Sequence, residues 1–303
     1  MPQVMPATPQ EHPAPQMEDT GFSLDRPPAP WPDWLEEHRI DDDVVDAAYE
    51  ATPPRLRAAI KTGLALAFSH FGQWQEHADS VVHRPHAGFW FGTRMRPVPW
   101  CLVVLDASYA AAARLAAACV LPRLRDVPEV FAVVVGENHA QPTDNALAAL
   151  TLSGIDDVFC LSAARTADLV AELASKDLGA QGRLVLLHDG GLGAIAAQAR
   201  QCHVPCHEEA APPALAVLPD APCDGDLLAF AHGAVSPARG LTPATRALIA
   251  PALDAQGHER HPEVSEALER GLLVLTPGCE GFWLHEGLGP AFFRAQGMVA
   301  GML

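Results

Sequence analysis

The stretch Arg183–Gly233 constrains the fold of this chain more than any other part of its sequence. An apolar strand in this stretch runs into a glycine loop, and a helix, two short strands and a second helix that ends in His-Gly follow. This order of elements is typical of one half of a nucleotide-binding α/β domain. The stretch therefore predicts a sheet whose neighbouring strands are mostly parallel, because the helices return the chain to the same edge of the sheet.

The same alternation of strands and helices begins upstream of this stretch, at Trp100. Cys101–Leu105 is a continuous apolar run, too short for a helix and typical of a strand that is buried on both faces. Further strands are predicted at Val130–Val135, Val158–Leu161 and Leu184–Leu187, alternating with helices at Tyr109–Leu121, Thr143–Leu152 and Ala163–Ser175. The predicted fold class is α/β, with mostly parallel sheets, flanking helices and Rossmann-type halves.

Composition and pattern divide the chain into four predicted regions. Residues 1–32 are rich in proline and lack apolar periodicity, so we expect a disordered tail. Residues 33–99 are predicted to be a helical lead-in packed on the core. Residues 100–233 are predicted to form an α/β nucleotide-binding-like domain, and residues 234–303 a part with helices and short strands that completes the fold.

One amphipathic helix dominates the predicted lead-in. It is expected over Thr52–Gln75, because apolar residues recur there every three or four positions: Leu56, Ile60, Leu64, Phe68 and Phe71. This stripe is predicted to face the core. Upstream of the helix, Trp31 and Trp34 are expected to mark the point at which the chain first contacts the core.

The charge of the chain excludes several classes of partner. Its formal net charge is −17, and such an acidic surface argues against nucleic acid and against anionic membranes. No apolar run has the ~18–20 residues that a bilayer span needs, and no secretory signal is recognisable. The seven cysteines are scattered, which favours free thiols in a reducing cytoplasm. A small molecule is the expected partner, and a homodimer is compatible with the sequence.

The glycine loop is the best local motif for a ligand. Gly191–Ala196 fits the pattern G-x-G-x-x-A between a predicted strand and a predicted helix. In nucleotide-binding proteins such glycines let the backbone approach a pyrophosphate at the helix N-terminus. Glu208 and Glu209 follow at somewhat less than the spacing of about 20 residues expected of a ribose-binding acid. A plain glycine turn in an alanine-rich domain remains the alternative to nucleotide binding.

A second cluster combines thiols and imidazoles. Cys202, His203, Cys206 and His207 lie within six residues and are side chains of the types that bind zinc or another soft metal. Adjacent Cys-His pairs converge on one point only where the backbone bends. The alternative is that these residues surround a short strand by chance, and the sequence does not decide between the two.

Together these motifs make the chain resemble the histidinol dehydrogenase family, whose members are zinc- and NAD-dependent. The resemblance spans most of the chain. It implies an aldehyde-dehydrogenase-like α/β fold and a NAD site at the glycine loop. The family's loop Gly-Pro-Gly-Asn resembles Asp189–Leu192, and its Gln-x-x-His-Gly segment resembles Ala229–Gly233. The cofactor-binding positions implied by the resemblance are Tyr109, Arg165, Asp189, Gly190, Gly191 and Gly193.

The sequence departs from the family at the positions that carry its chemistry. Leu192 replaces the loop asparagine, Arg165 a glutamine that contacts NAD, and Ala229 a glutamine that binds zinc. The family's Gly-Pro-Ser-Glu substrate loop resembles residues 211–214, where the serine and the glutamate are missing. His232 is the only retained zinc-ligand position, so no bound metal is expected.

A histidine and a glutamate near the end of the chain are the candidate catalytic residues. The resemblance implies a Glu-His pair, and His285 and Glu286 supply those residues in reversed order. Two functions remain open. In the first, the chain is a divergent relative without histidinol dehydrogenase activity that keeps a cleft for a nucleotide or another small ligand. Alternatively, it is a zinc-independent NAD(P)-dependent oxidoreductase that acts on a small alcohol or aldehyde.

Overall fold

The structure is a computed structural model. It describes residues 31–72, 79–136, 142–175, 182–188, 190–209, 215–217, 224–233, 273–275, 278, 280–285 and 287–302. Several sequence-based expectations lie outside these residues: the tail before Trp31, the candidate site residues Asp189 and Glu286, and the segment 211–214.

Seven α-helices and ten β-strands are the main elements of the described part of the chain. The helices are α1 Asp42–Ala51, α2 Pro54–Phe71, α3 Ala112–Leu124, α4 Asp144–Leu152, α5 Ala163–Ser175, α6 Gly193–Gln201 and α7 Gly225–His232. The strands are β1 Asp79–Arg84, β2 Phe89–Pro97, β3 Trp100–Asp106, β4 Glu129–Val135, β5 Val158–Leu161, β6 Arg183–Leu187, β7 Cys206–Glu209, β8 Leu215–Val217, β9 Leu273–Leu275 and β10 Arg294–Met302.

A five-stranded parallel sheet forms the centre of the molecule. Its strand order is β5-β4-β3-β6-β7, and every neighbouring pair is parallel. The predicted α/β class with a parallel, Rossmann-like sheet is therefore confirmed. The chain builds the sheet outward from β3 to β5 and then returns to β6 on the other side of β3. The strand order thus reverses between β3 and β6, which is where open α/β sheets bind ligands.

Helices cover both faces of this sheet. On one face, α3 and α4 pack on the strands, with α1, α2 and α7 around them, and Leu115 and Leu147 are fully buried there. On the other face, α5 and α6 pack beside each other over Phe131 and Phe159. Trp31 contacts this second core, with its ring 4.8 Å from that of Phe131, as the sequence predicts. Alanine-rich helices can approach the sheet closely, which explains their composition.

Helix α2 contacts the core through most of the predicted stripe. Ile60 is fully buried, and Leu56, Leu64 and Phe71 pack against core residues, but Phe68 is 52% exposed, so its predicted place in the core is wrong. The small residues Gly63 and Ala67 are also buried on this helix. Gly63 lies against a very close backbone, because a Cβ added there would overlap the carbonyl oxygen of Gly281. The sequence pattern selects large apolar residues and overlooks such a contact.

Three antiparallel strands form a separate sheet, which we call the arm. It consists of β1, β2 and β10 in the order β1-β2-β10, with Arg294 opposite Pro97 and Met302 opposite Phe89. The arm contains residues 79–97, so the predicted lead-in is not helical throughout. The Arg183 guanidinium donates a hydrogen bond of 2.8 Å to the carbonyl oxygen of Arg294. This bond joins the first residue of β10 to the amino end of β6. No helix among the described residues is both long and apolar enough to cross a membrane.

Candidate functional site

The strand order reverses between β3 and β6, and we call the region beyond the carboxyl ends of these two strands the crevice. Strand β3 ends at Asp106, whose Oδ1 accepts hydrogen bonds from the backbone N–H of Ser108 (3.0 Å) and from its hydroxyl (2.9 Å). The other oxygen, Oδ2, faces the glycine loop, because a Cβ added at Gly191 would lie 2.9 Å from it. A carboxylate and exposed backbone therefore meet at this edge of the sheet.

A buried histidine holds the glycine loop in place. His188 follows β6 and is 1% exposed. Its Nδ1 accepts hydrogen bonds from the N–H groups of Gly190 (2.9 Å) and Leu192 (3.1 Å). The ring hydrogen is therefore on Nε2, which lies 3.3 Å from Oε1 of Glu208. Two amides that could otherwise bind a phosphate are thus bonded to the protein's own imidazole.

The remaining amides of the loop lead into helix α6. Gly191, Gly193 and Ala194 are exposed, and their N–H groups make no hydrogen bond to a described residue. The crevice therefore presents a few donors from the helix N-terminus beside the carboxylate of Asp106. Such a mixture suits hydroxyl groups, which both donate and accept, better than a pyrophosphate dianion, which the carboxylate repels.

Four of the predicted cofactor positions follow the carboxyl ends of β3 and β6. Gly190, Gly191 and Gly193 form the loop, and Tyr109 follows β3 at the same edge, where its carbonyl oxygen accepts a bond from the Thr143 hydroxyl (2.9 Å). Arg165 lies at the start of α5, beyond the outer strand β5. Its guanidinium stacks over the Trp34 ring at 4.1 Å and lies 3.9 Å from Asp168. The described contacts of Arg165 are with Trp34 and Asp168, so its role at the cofactor stays a prediction.

Next to the crevice, the structure contains a buried ionic cluster formed by Arg114, Glu209 and His285. Their side chains are 3%, 9% and 0% exposed. Glu209 Oε2 lies 2.7 Å from His285 Nδ1, and Glu209 Oε1 lies 3.5 Å from a guanidinium nitrogen of Arg114. The carbonyl oxygen of Arg114 lies 2.7 Å from His285 Nε2. The guanidinium also stacks on the Trp283 ring, 4.2 Å from its centre.

The geometry of the cluster fixes its protonation. Burial alone would raise the pKa of the Glu209 carboxyl, but the hydrogen bond from His285 and the positive charges of His285 and Arg114 lower it below its ordinary value. Glu209 is therefore ionised at neutral pH, and a carboxylate can only accept. Since the Arg114 carbonyl also only accepts, both ring nitrogens of His285 donate and the ring is an imidazolium. Neither nitrogen is then free to take a proton from a substrate.

His232 lies beside this cluster, at the end of helix α7. It is 2% exposed; its Nε2 donates to the carbonyl oxygen of Glu280 (2.7 Å), and its ring lies 5.4 Å from that of Trp283. Burial lowers the pKa of His232 to about 4, so the ring is neutral. The resemblance placed His232 and His285 in one active site, and the structure does bring them together around Trp283. However, the positions do not fit zinc, because Ala229 offers no ligand and His285 is engaged at both nitrogens.

The Cys-His cluster is divided between the two faces of β7. Cys202 and Cys206 pack against the core under α5 and α6. His207 lies on the opposite face of β7, with its ring 5.8 Å from that of His285. Neighbouring side chains of a strand alternate between the faces of a sheet, so Cys206 and His207 cannot share one metal. Burial, with the nearby Glu208, raises the pKa of the Cys206 thiol to about 12.

Sequence reasoning overlooked His188 and Arg114. A signal for Arg114 exists, because it is the one charged residue in an otherwise apolar helical run and must be paired if that run is buried. Glu209 was noted only as a ribose-binding candidate. Its carboxylate instead points toward His285, on the side of β7 away from α6.

Comparisons with known proteins bear on the fold of the chain and not on its family. No family model and no curated protein matches the chain. The structure is similar to that of histidinol dehydrogenase from Elizabethkingia anophelis, with a TM-score of 0.55 and 11% identity over 89% of this chain and 78% of that chain. This likeness shows a distant histidinol-dehydrogenase-like fold, as the resemblance in the sequence implies, and the fold alone.

Aldehyde dehydrogenases share a smaller part of the structure. Lactaldehyde dehydrogenase from Escherichia coli gives a TM-score of 0.35 at 12% identity, over 57% of this chain and 39% of that chain. Succinate-semialdehyde dehydrogenase from Burkholderia pseudomallei gives 0.32 at 13% identity, over 61% and 45%. The chain spans less than half the length of these two enzymes, and scores this low carry no argument about function.

Proposed function

We propose that this chain is a dehydrogenase-fold binding protein without histidinol dehydrogenase activity, which takes a small, hydroxyl-bearing ligand in the crevice between β3 and β6. The hydrogen bonds of His285 are the main support for the absence of histidinol dehydrogenase activity. His285, the candidate base, is buried and donates from both ring nitrogens to Glu209 and to the Arg114 carbonyl. A general base needs a free nitrogen within reach of its substrate.

The ligand class follows from the groups that line the crevice. Asp106 offers one carboxylate oxygen as an acceptor, and the exposed N–H groups of Gly193 and Ala194 are donors. Because His188 holds two loop amides and Asp106 adds negative charge, a pyrophosphate has few partners here. A sugar-like or nucleoside ligand finds both donors and acceptors at the same edge, so phosphate groups should add little affinity.

Calorimetric titration tests this proposal. Adenosine, ADP and NAD are titrated separately into the full chain, and their dissociation constants are compared. The proposal expects ADP and NAD to bind no more tightly than adenosine. A preference for NAD over adenosine of a hundredfold or more would instead support the NAD(P)-dependent oxidoreductase.

The position of the site is tested with a matched pair of glycine variants. Gly191→Val adds a side chain against Asp106, whereas a Cβ added at Gly225 meets nothing within 4 Å. We expect Gly191→Val to abolish the heat of ligand binding and Gly225→Val to retain it. Heat that survives in Gly191→Val would place the site elsewhere.

The catalytic part of the proposal has its own assay. With histidinol, NAD and added zinc, the chain should produce no NADH. NADH formation that a chelator abolishes would overturn this part of the proposal and leave the crevice experiments unaffected.

A further inference from the structure

The backbone of the glycine loop forms a small concave site of hydrogen-bond donors. The N–H groups of Gly190 and Leu192, two residues apart, point at one atom, which lies 2.9 Å from the first nitrogen and 3.1 Å from the second. Gly190 has a φ of +106°, a conformation that residues other than glycine rarely adopt, and it lets the two amides face the same point. Amides arranged in this way form a nest, which in many proteins binds a phosphate or another anion.

The atom that fills this nest belongs to the protein itself. It is Nδ1 of His188, a ring nitrogen whose single lone pair both amides share. An oxygen of a bound phosphate would accept the same two hydrogen bonds from the same place. The imidazole therefore occupies the position that a phosphate oxygen takes in a nest.

The surroundings of His188 hold its ring in the nest. The residue is 1% exposed, and its backbone N–H donates to the carbonyl oxygen of Glu209 on the neighbouring strand (3.1 Å). On the ring, Nε2 lies 3.3 Å from Oε1 of Glu208. This carboxylate favours the tautomer with the hydrogen on Nε2, which leaves Nδ1 as an acceptor for the two amides. A ligand that needs these amides would have to displace a buried side chain that is bonded to β7.

We infer that His188 determines the specificity of the crevice, because it fills the nest with its own imidazole and so excludes phosphate groups. The inference rests on the proposed function, since it explains how the crevice favours hydroxyl-bearing ligands over phosphorylated ones. The Asp106 carboxylate repels a phosphate through its charge, whereas His188 takes away the donors that a phosphate needs. Removal of the imidazole should therefore convert the loop into a phosphate site.

Two variants of His188 separate the acceptor atom from the rest of the side chain. His188→Ala removes the ring and leaves both amides of the nest without an acceptor. His188→Asn replaces Nδ1 by the amide oxygen Oδ1, which lies at the same distance along the side chain. Asparagine commonly accepts from a backbone N–H two residues further on, so this variant keeps the nest occupied and is the matched control. Urea unfolding of each variant verifies that it is folded.

Inorganic pyrophosphate is the probe, and it is titrated calorimetrically into the full parent chain and into both variants at neutral pH. His188→Ala frees two donors for a charged group, so its dissociation constant for pyrophosphate should be at least about tenfold lower than that of the parent. His188→Asn should bind pyrophosphate as weakly as the parent. Equal affinity in His188→Ala and in the parent would overturn the inference, and so would an equal gain of affinity in both variants.

Amide hydrogen exchange in the parent chain is a second test, and it needs no variant. The amides of Gly190 and Leu192 should exchange slowly, and added pyrophosphate should leave their rates unchanged, because the imidazole stays in the nest. Rapid exchange of these amides without ligand, or protection that arises only with pyrophosphate, would contradict the inference. A parent chain that binds none of adenosine, ADP and NAD would refute the proposed function, whereas the pyrophosphate and exchange measurements test the role of His188 whatever that result.

Discussion

Removing the charge of Glu209 should destabilise the protein far more than removing that of its neighbour Glu208. The Glu209 carboxylate lies between the Arg114 guanidinium and the His285 ring, and all three side chains are at least nine-tenths buried. Glu209→Gln removes the negative charge that both of these positive groups contact. Breaking a buried ion pair in this way costs about 3–5 kcal/mol of unfolding free energy.

Glu208→Gln is the matched control, because it changes the adjacent residue of the same strand. Glu208 is 30% exposed, and its oxygen lies 3.9 Å from Arg200, whose side chain is 68% exposed. Such a surface pair contributes at most about 1 kcal/mol. An amide at this position can also still accept from His188 Nε2, so the loop should keep its hydrogen bonds.

Urea unfolding of the parent and of both variants measures these free energies, and its pH dependence identifies the cause. The folded-state pKa of Glu209 is lowered, so its contribution is fully present above the unfolded carboxyl pKa of about 4.3 and is lost as the pH falls through the lower folded value. The difference in unfolding free energy between the parent and Glu209→Gln should therefore be large at pH 7 and should decrease only in acid. Equal losses in both variants at pH 7 would refute the ionic interpretation of the cluster.

Two further predictions concern burial. Ile60→Ala should lower the free energy of unfolding by about 2–5 kcal/mol because the Ile60 side chain is fully buried, whereas Phe68→Ala should lower it by less than about 1 kcal/mol. Urea unfolding midpoints compare the two variants. A larger loss of stability in Phe68→Ala than in Ile60→Ala would contradict the packing of α2. The pKa of His232 is lowered to about 4 in the folded protein, so the unfolded chain takes up a proton on this ring at a higher pH than the folded protein does. As the pH falls from 6.5 to 4, the free energy of unfolding should therefore decrease by up to about 3 kcal/mol. His232→Gln, whose amide can still donate to the Glu280 carbonyl, should reduce that pH dependence, and an unchanged slope would show that other groups cause it.

The parallel sheet could be predicted because its signal is local. Val158–Leu161 and Ala163–Ser175 form the predicted elements with the predicted bounds. A strand buried on both faces must be apolar throughout, and its ends are marked by the polar residues that leave the core. In such segments the sequence contains nearly all the information that determines the element.

The arm and the ionic cluster could not be predicted because they depend on residues far apart in the chain. Strand β2 pairs with β10, about 200 positions further along the chain, and β2 alternates only weakly between buried and exposed residues. His285 meets Glu209 and Arg114 across 76 and 171 positions. A pattern within one segment contains no trace of these partners, although the lone charge of Arg114 in an apolar helix indicates that one must exist.

Glu209 connects the two parts of the molecule that the sequence marks as functional. Its carbonyl oxygen accepts from the backbone N–H of His188 (3.1 Å), the residue that holds the glycine loop, while its carboxylate accepts from His285. Hydrogen bonds of this one residue of β7 therefore join the cluster to the residue that holds the glycine loop. To act as a general base, His285 would need a free nitrogen and access to a substrate. In this structure its buried ring is bonded at both nitrogens, and these bonds hold the end of β7 beside the glycine loop.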